Sequence, residues 1–230
     1  MGRSEKFLTD TEFNVNQLIS KIKNSSENLN DEEKKILEEI ISDFKNNDFS
    51  LLTPQEINWM EKNKSILWSK YLVYRYNFKN LPKKKELASV PLHLLIEPVS
   101  ACNLRCVMCF QIDETFSGNS NFMGMMKLDL FKKIIDDATS CGIHALTLAS
   151  RGEPTLHPEF KKMVEYCKGK FFEFKINSNV NRLLNKKIKI FIGHKKSNLK
   201  DVNLLVISSA IQKSNIGLVF LYLSERMING

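Results

Sequence analysis

Apolar residues recur at helical spacing through the first 90 positions, then give way to short apolar runs separated by amphipathic stretches. Asn30 precedes DEEKKILEEIISDF, where acids fill the first turn and Ile36, Leu37, Ile40, Ile41 and Phe44 share one face. That spacing predicts an amphipathic helix with a compensated macrodipole. Thr53-Pro54-Gln55-Glu56 reads as a cap, a first-turn proline and a glutamate three residues after the cap. It opens a helix expected to continue through Trp59, Trp68 and Tyr71. The aromatic stripe Trp68, Tyr71, Tyr74, Tyr76 and Phe78 is expected to pack against the following domain, not to hold a ligand. Pro82 and the lysines at 83, 84 and 85 are expected to stop the helix and mark a boundary.

Beyond that boundary the apolar runs Leu92–Val99, Ala145–Ala149 and Phe171–Ile176 alternate with amphipathic segments over 128–139 and 158–168, the second followed by Gly169. Strand, helix, strand, helix, strand at these lengths predicts an α/β fold, a parallel sheet joined by right-handed crossovers. In such sheets chemistry gathers in the loops after the C-terminal ends of the strands. Leu204–Ser208 is a candidate fourth strand. The run Ile216–Leu223 is far short of the ~20 residues a membrane-crossing helix needs and is read as a buried strand or helix. The expected organisation is a small helical region over 1–90, an α/β core over 91–182 and a divergent tail over 183–230.

With 230 residues, 43% of them hydrophobic, the chain can bury one core or a core with a helical appendage. Met1–Asp10 is polar where a secretion signal needs an apolar stretch. Three of the five cysteines fall within eight residues of each other, which suits a metal better than a disulfide framework. A reducing, cytoplasmic setting is therefore expected. The net charge of +8 is concentrated in the tail, where nine basic residues face two acidic ones from Arg182 onward. No nucleic-acid-binding motif accompanies it, so neither a nucleic-acid partner nor a membrane span is expected.

Cys102, Cys106 and Cys109 stand in SACNLRCVMCFQ, a C-x3-C-x2-C spacing directly after the first predicted strand. Three thiolates on one loop can hold three irons of a four-iron, four-sulfur cube and leave the fourth open to a small molecule. Zinc is the competing reading, with His93 or His157 completing a Cys3His set. Cys141 and Cys167 are expected to be small core residues.

At these residues the sequence resembles the radical S-adenosylmethionine superfamily, whose motif is this spacing at this place in a partial (β/α) barrel. The resemblance implies such a barrel with about three to four strands present, a 4Fe-4S cluster on Cys102, Cys106 and Cys109, and S-adenosyl-L-methionine as co-substrate. It also implies an oxidoreductase or transferase chemistry. Reductive cleavage yields a 5′-deoxyadenosyl radical that takes a hydrogen from substrate, and no catalytic residue is assignable beyond the cluster. Met108, where many members carry an aromatic residue, is expected to present its backbone to adenine. Arg151-Gly152-Glu153-Pro154 stands where the family has Gly-Gly-Glu-Pro, which assigns Gly152 and Glu153 to the methionine amino group. Ser178 and Asn179, after the third strand, are expected near the ribose.

FMGMMKLDLF over 122–131 resembles a stretch common in members with a C-terminal SPASM domain. That likeness implies a peptide, cell-envelope or polysaccharide precursor as substrate, and a flavodoxin or ferredoxin as electron donor. The resemblance ends near Arg182, and the basic tail is expected to mark a chain truncated or frame-shifted near its end. The alternative function is a non-catalytic iron-sulfur or zinc protein whose N-terminal helices bind a partner.

Overall fold

Caps written into the sequence set where the first helices begin. The computed structural model describes residues 15–149, 151–179 and 181, together with the two-residue strands Phe191–Ile192, Leu205–Val206 and Val219–Phe220. The expectations for the rest of 183–230 lie outside the described residues. The chain divides into two compact units, Met1–Leu92 and His93–Gly230.

In the first unit lie α1 (Val15–Asn24), α2 (Asp31–Lys45), α3 (Pro54–Lys62) and α4 (Trp68–Lys84). Asn30 Oδ1 accepts from Glu33 N and Glu33 Oε2 accepts from Asn30 N, both at 2.9 Å, closing the capping box that starts α2. Leu37, Ile40, Ile41 and Phe44 are buried as its periodicity predicts, while Ile36, expected on the same face, is half-buried. The second predicted helix departs from expectation because it is two helices. Asn63 is extended, its Nδ2 donates to Trp59 O at 2.7 Å, and the Trp68 indole donates to Met60 O at 3.1 Å and Asn63 O at 3.2 Å. These side chains satisfy the orphaned end carbonyls of α3, so the chain can turn there.

The aromatic stripe packs within this unit instead of waiting for another domain. Tyr71 stacks on Trp59 with ring centroids 3.8 Å apart, Trp68, Tyr71 and Tyr74 are buried, and Tyr76 donates to Glu39 of α2 at 2.8 Å. Pro82 does not end α4, which continues to Lys84 and closes with Lys85 in the left-handed region at φ 56°. Among these helices the Glu56 carboxylate is fully buried. Arg75 Nε meets its Oε1 at 2.7 Å, Lys79 Nζ meets its Oε2 at 3.3 Å, and Thr53 donates to it through N at 3.0 Å and through its hydroxyl.

The second unit begins with β1 (His93–Ile96), followed by α5 (Glu114–Ser117), α6 (Leu128–Ser140), β2 (Ala145–Leu148), α7 (Phe160–Cys167) and β3 (Glu173–Ile176). The three strands are parallel in the order β1-β2-β3, with His93 beside Ala145 and Ala145 beside Glu173. The later strands are β4 (Phe191–Ile192), β5 (Leu205–Val206) and β6 (Val219–Phe220). β5 adds to the edge of β3, also in parallel and within the run expected to form a fourth strand, while β4 and β6 pair with each other.

Alternation along the strands sends Ile96, Leu146, Leu148 and Ile176 to one face. There they form a core with Phe131 and Ile135 of α6 and Met163, Val164 and Cys167 of α7, so both crossover helices cover the same face. The other face carries His93, Thr147, Glu173 and Lys175, and His93 Nε2 lies 2.7 Å from Thr147 Oγ1. Ile135 is fully buried in this core. Ile135→Val is expected to cost about 1 kcal/mol, read as a lower denaturant midpoint with an unchanged slope.

Candidate functional site

The loops after β1, β2 and β3 meet at one end of the sheet. The first, which carries the three cysteines, is anchored at its root: Ser100 N donates to Gly124 O at 2.9 Å and Met126 N to Pro98 O at 2.8 Å. Inside it, Cys109 N donates to Cys106 O at 2.8 Å and Arg105 Nη1 to Cys102 O at 3.0 Å. Cys102, Cys106 and Cys109 are free and half-buried. Val107 is 82% and Met108 75% exposed between them. Among the described residues, no three His, Cys, Asp or Glu side chains are gathered as a single-ion site requires. A four-iron cube asks for something different, because each thiolate takes its own iron. Cys102, Cys106 and Cys109 supply three such thiols within one short loop.

Gly152 locks the second loop against the first. A Cβ at this position would sit 1.8 Å from Val99 O and 2.8 Å from Ser100 C, so only glycine allows the two backbones to touch. Next to it, Glu153 N donates to Ala101 O at 2.9 Å. The Glu153 side chain is buried, and its Oε1 accepts from Thr155 N, Thr155 Oγ1 and Ser178 Oγ at 3.1, 2.6 and 2.7 Å. Its Oε2 accepts from Asn179 N at 2.7 Å. This carboxylate is the knot that joins the loops after β2 and β3, and the Ser178 hydroxyl is spent on it. Asn179 reaches the cysteine loop itself, with Nδ2 2.8 Å from Asn103 Oδ1 and 3.8 Å from Cys102 Sγ.

Two further residues belong to this assembly although the sequence does not single them out. Glu97, just past β1, takes Arg151 in a fork: Nε and Nη2 reach its oxygens at 2.7 to 3.1 Å and Arg151 N donates at 2.8 Å. Burial pushes the Glu97 carboxyl up, but the hydrogen bonds from Arg151 and Ser100 outweigh it and hold the group below its ordinary value. The Arg151 guanidinium also lies over the Phe116 ring at 5.3 Å. Gln111, 1% exposed, donates from Nε2 to Ser100 O at 2.6 Å and Arg151 O at 2.8 Å, a strap across both loops. The available signals were slight: a lone acid at the end of an apolar run, and an arginine in a glycine position.

The remaining candidates sit apart. His157 accepts from Glu159 N at Nδ1 (3.1 Å), so Nε2 carries the proton it donates to Met126 O at 2.8 Å. Burial, and then the charge of Lys175, lowers the pKa of His93. Cys167 is a core residue whose thiol is pushed up to about 12 by burial, whereas Cys141, expected in the core, is exposed at the end of α6. Its helix had already ended at Ser140, beyond the apolar face that would have buried it.

No protein-family model matches the chain. Over 101 residues it is 38% identical to the tungsten-containing aldehyde ferredoxin oxidoreductase cofactor-modifying protein of Pyrococcus furiosus, covering 42% of this chain and 26% of that protein. Over 67 residues it is 42% identical to the cysteine-type anaerobic sulfatase-maturating enzyme of Clostridium novyi, covering 28% and 18%. The matches thus span about a quarter or less of these relatives. A 43-residue stretch is also 49% identical to the UDP-N-acetylmuramate–L-alanine ligase of Brucella ovis, covering 19% of this chain and 9% of that protein. Streptococcus suis SuiB bound to S-adenosylmethionine overlaps 83% of this chain and 44% of its own at 18% identity and a TM-score of 0.37, too loose a superposition to argue from. The longer likenesses and the cysteine loop point the same way: the chain is similar to members of the radical S-adenosylmethionine superfamily.

Proposed function

We propose that this chain binds a 4Fe-4S cluster through Cys102, Cys106 and Cys109 and S-adenosyl-L-methionine beside it, as the radical-generating part of an enzyme. The observation that carries this reading is the contact at Gly152, which presses the loop after β2 against the root of the cysteine loop. When bound, the cluster and its co-substrate supply a 5′-deoxyadenosyl radical for hydrogen abstraction.

The chain's own residues prepare the place. Gly152 brings the second loop close enough for backbone groups to face a ligand held at the cysteines, and Gln111 and the Glu97–Arg151 pair fix the spacing between the two loops. Glu153 is read here as the knot that shapes the loops, in place of a direct partner for the methionine ammonium, because both its oxygens already accept bonds from protein donors among the described residues. Met108 remains the proposed neighbour of adenine through its backbone. The single-sided packing of α6 and α7 supports a partial (β/α) barrel, whose inner face would be the polar face bearing His93, Thr147, Glu173 and Lys175. Residues 91–182 would form that core, 1–90 a helical region before it and 183–230 a separate tail.

The substrate is proposed to be a peptide or protein, or a cofactor carried on one, as the names of the two longer relatives suggest. The setting is proposed to be cytoplasmic, with a flavodoxin or ferredoxin as one-electron donor. No helix among the described residues is long and apolar enough to cross a membrane. Zinc is the weaker reading because His157 has both ring nitrogens engaged in the fold and His93 is tied to Thr147.

The test is anaerobic reconstitution with iron and sulfide, followed by assay for 5′-deoxyadenosine with dithionite and S-adenosylmethionine. Cluster-loaded protein is expected to form it, while Cys106→Ala is expected to lose both the bound iron and the product. Zinc at the cysteines, or a cluster without cleavage, would overturn the reading.

A further inference from the structure

We propose that Asn179 is a positioning residue for the cluster, donating a hydrogen bond to the Cys102 sulfur and thereby raising the cluster's reduction potential. The inference rests on the three cysteines holding a cluster, and goes beyond it by giving Asn179 a role other than a ribose contact.

The amide of Asn179 is held from several sides. Its backbone N donates to Glu153 Oε2 at 2.7 Å, and its Oδ1 accepts from Asn181 N at 3.1 Å. With the oxygen committed to a donor, the other end must be the NH2 group, so the amide has one sensible orientation. One of its hydrogens goes to Asn103 Oδ1 at 2.8 Å, and Nδ2 lies 3.8 Å from Cys102 Sγ, within reach of a sulfur acceptor. Cys102 and Asn179 are 77 residues apart in sequence, so the contact is made by the convergence of two loops and not by local geometry.

The physical consequence follows from charge. A cluster that accepts one electron from a low-potential donor becomes more negative, and part of that charge lies on its sulfurs. An N–H aimed at a ligating sulfur stabilises the reduced form more than the oxidised one and so raises the potential. Asn179 is well suited because its amide is anchored before the electron arrives and need not reorganise. It touches neither substrate nor the reacting atoms in this account.

The experiment is an EPR-monitored redox titration of reconstituted protein without S-adenosylmethionine, with iron and sulfide content measured on each sample. Wild type is expected to show the highest midpoint and Asn179→Ala a more negative one. Asn179→Asp, which keeps the oxygen but replaces the donor with a negative charge, is expected to be lower still. Asn103→Ala frees one contact that aims the amide and is expected to give a smaller shift in the same direction. This variant also decides the matter if the Asn179 variants fail to take up iron. Equal midpoints across cluster-loaded wild type and variants would overturn the role of Asn179 while leaving the cluster intact. Failure of wild type to load iron on the three cysteines would instead overturn the underlying site, and the iron analysis separates the two failures.

Discussion

Gly152→Ala is expected to destabilise the second unit by about 3 kcal/mol and to cut iron uptake by reconstituted protein sharply. The added Cβ would lie 1.8 Å from Val99 O and 2.7 Å from Val99 C. Both are backbone atoms, so no rotamer change relieves the overlap, and the two loops must separate. Separation breaks the neighbouring bond from Glu153 N to Ala101 O and lengthens the strap that Gln111 makes to Ser100 O and Arg151 O. Gly142→Ala is the control, since that glycine has φ +82° but open space around its missing Cβ. Its cost is the left-handed strain alone, about 1 kcal/mol. Thermal unfolding with iron content on the same samples is the measurement. If Gly152→Ala proves as mild as Gly142→Ala and loads iron normally, the two loops do not depend on this contact.

Arg75→Met is expected to cost the helical unit about 3 kcal/mol, the range for removing one partner of a buried ion pair. Glu56 is fully buried, and Arg75 meets it at 2.7 Å with little exposure of its own. Lys79 at 3.3 Å and Thr53 remain in the variant, so the carboxylate is weakened in its support without being stranded. Burial alone would push the Glu56 carboxyl up, but the Thr53 hydrogen bond and the charges of Arg75 and Lys79 outweigh it and hold the group below its ordinary 4.5. A carboxyl that is more acidic in the folded state contributes stability above its unfolded pKa and loses it as the pH falls from about 4.5 through the depressed folded value. Acid unfolding of wild type should therefore begin below pH 4.5. In Arg75→Met it should begin at higher pH, because the folded value is less depressed. Urea denaturation at pH 7 and pH 4 checks both statements, and an unchanged acid midpoint would show that Arg75 does not hold this charge.

Periodicity was a good guide wherever packing is local. The face of α2 buries four of the five residues its spacing selects, and the strands β1, β2 and β3 begin and end within three residues of their apolar runs. It failed where side chains act across turns. The helix expected to run from Pro54 through Tyr71 is interrupted because Asn63 and Trp68 bond the carbonyls at its end, and nothing in residue spacing announces that. Pro82 looked like a stop, yet its ring fits in the last turn of α4, whose end is set three residues later by Lys85. Cys141 looked like a core residue by type but lies where the helix has already ended.

The site shows the same division. The cysteine spacing, the Gly-Glu-Pro after β2 and the polar residues after β3 could be read directly, because their chemistry depends on residue type and on neighbours a few positions away. What those residues do to one another could not. Arg151 and Glu97 are 54 residues apart, and Asn179 and Cys102 are 77 apart. Sequence alone therefore determined where three thiols stand together on one loop and in what order the strands and helices follow, since residue spacing and hydrophobic period are local properties. Tertiary structure decided that Glu153 ties loops together, that Gly152 is required by a backbone crossing, and that Asn179 faces a sulfur. Each of these is a contact between segments that only the packing of a parallel sheet brings to the same end.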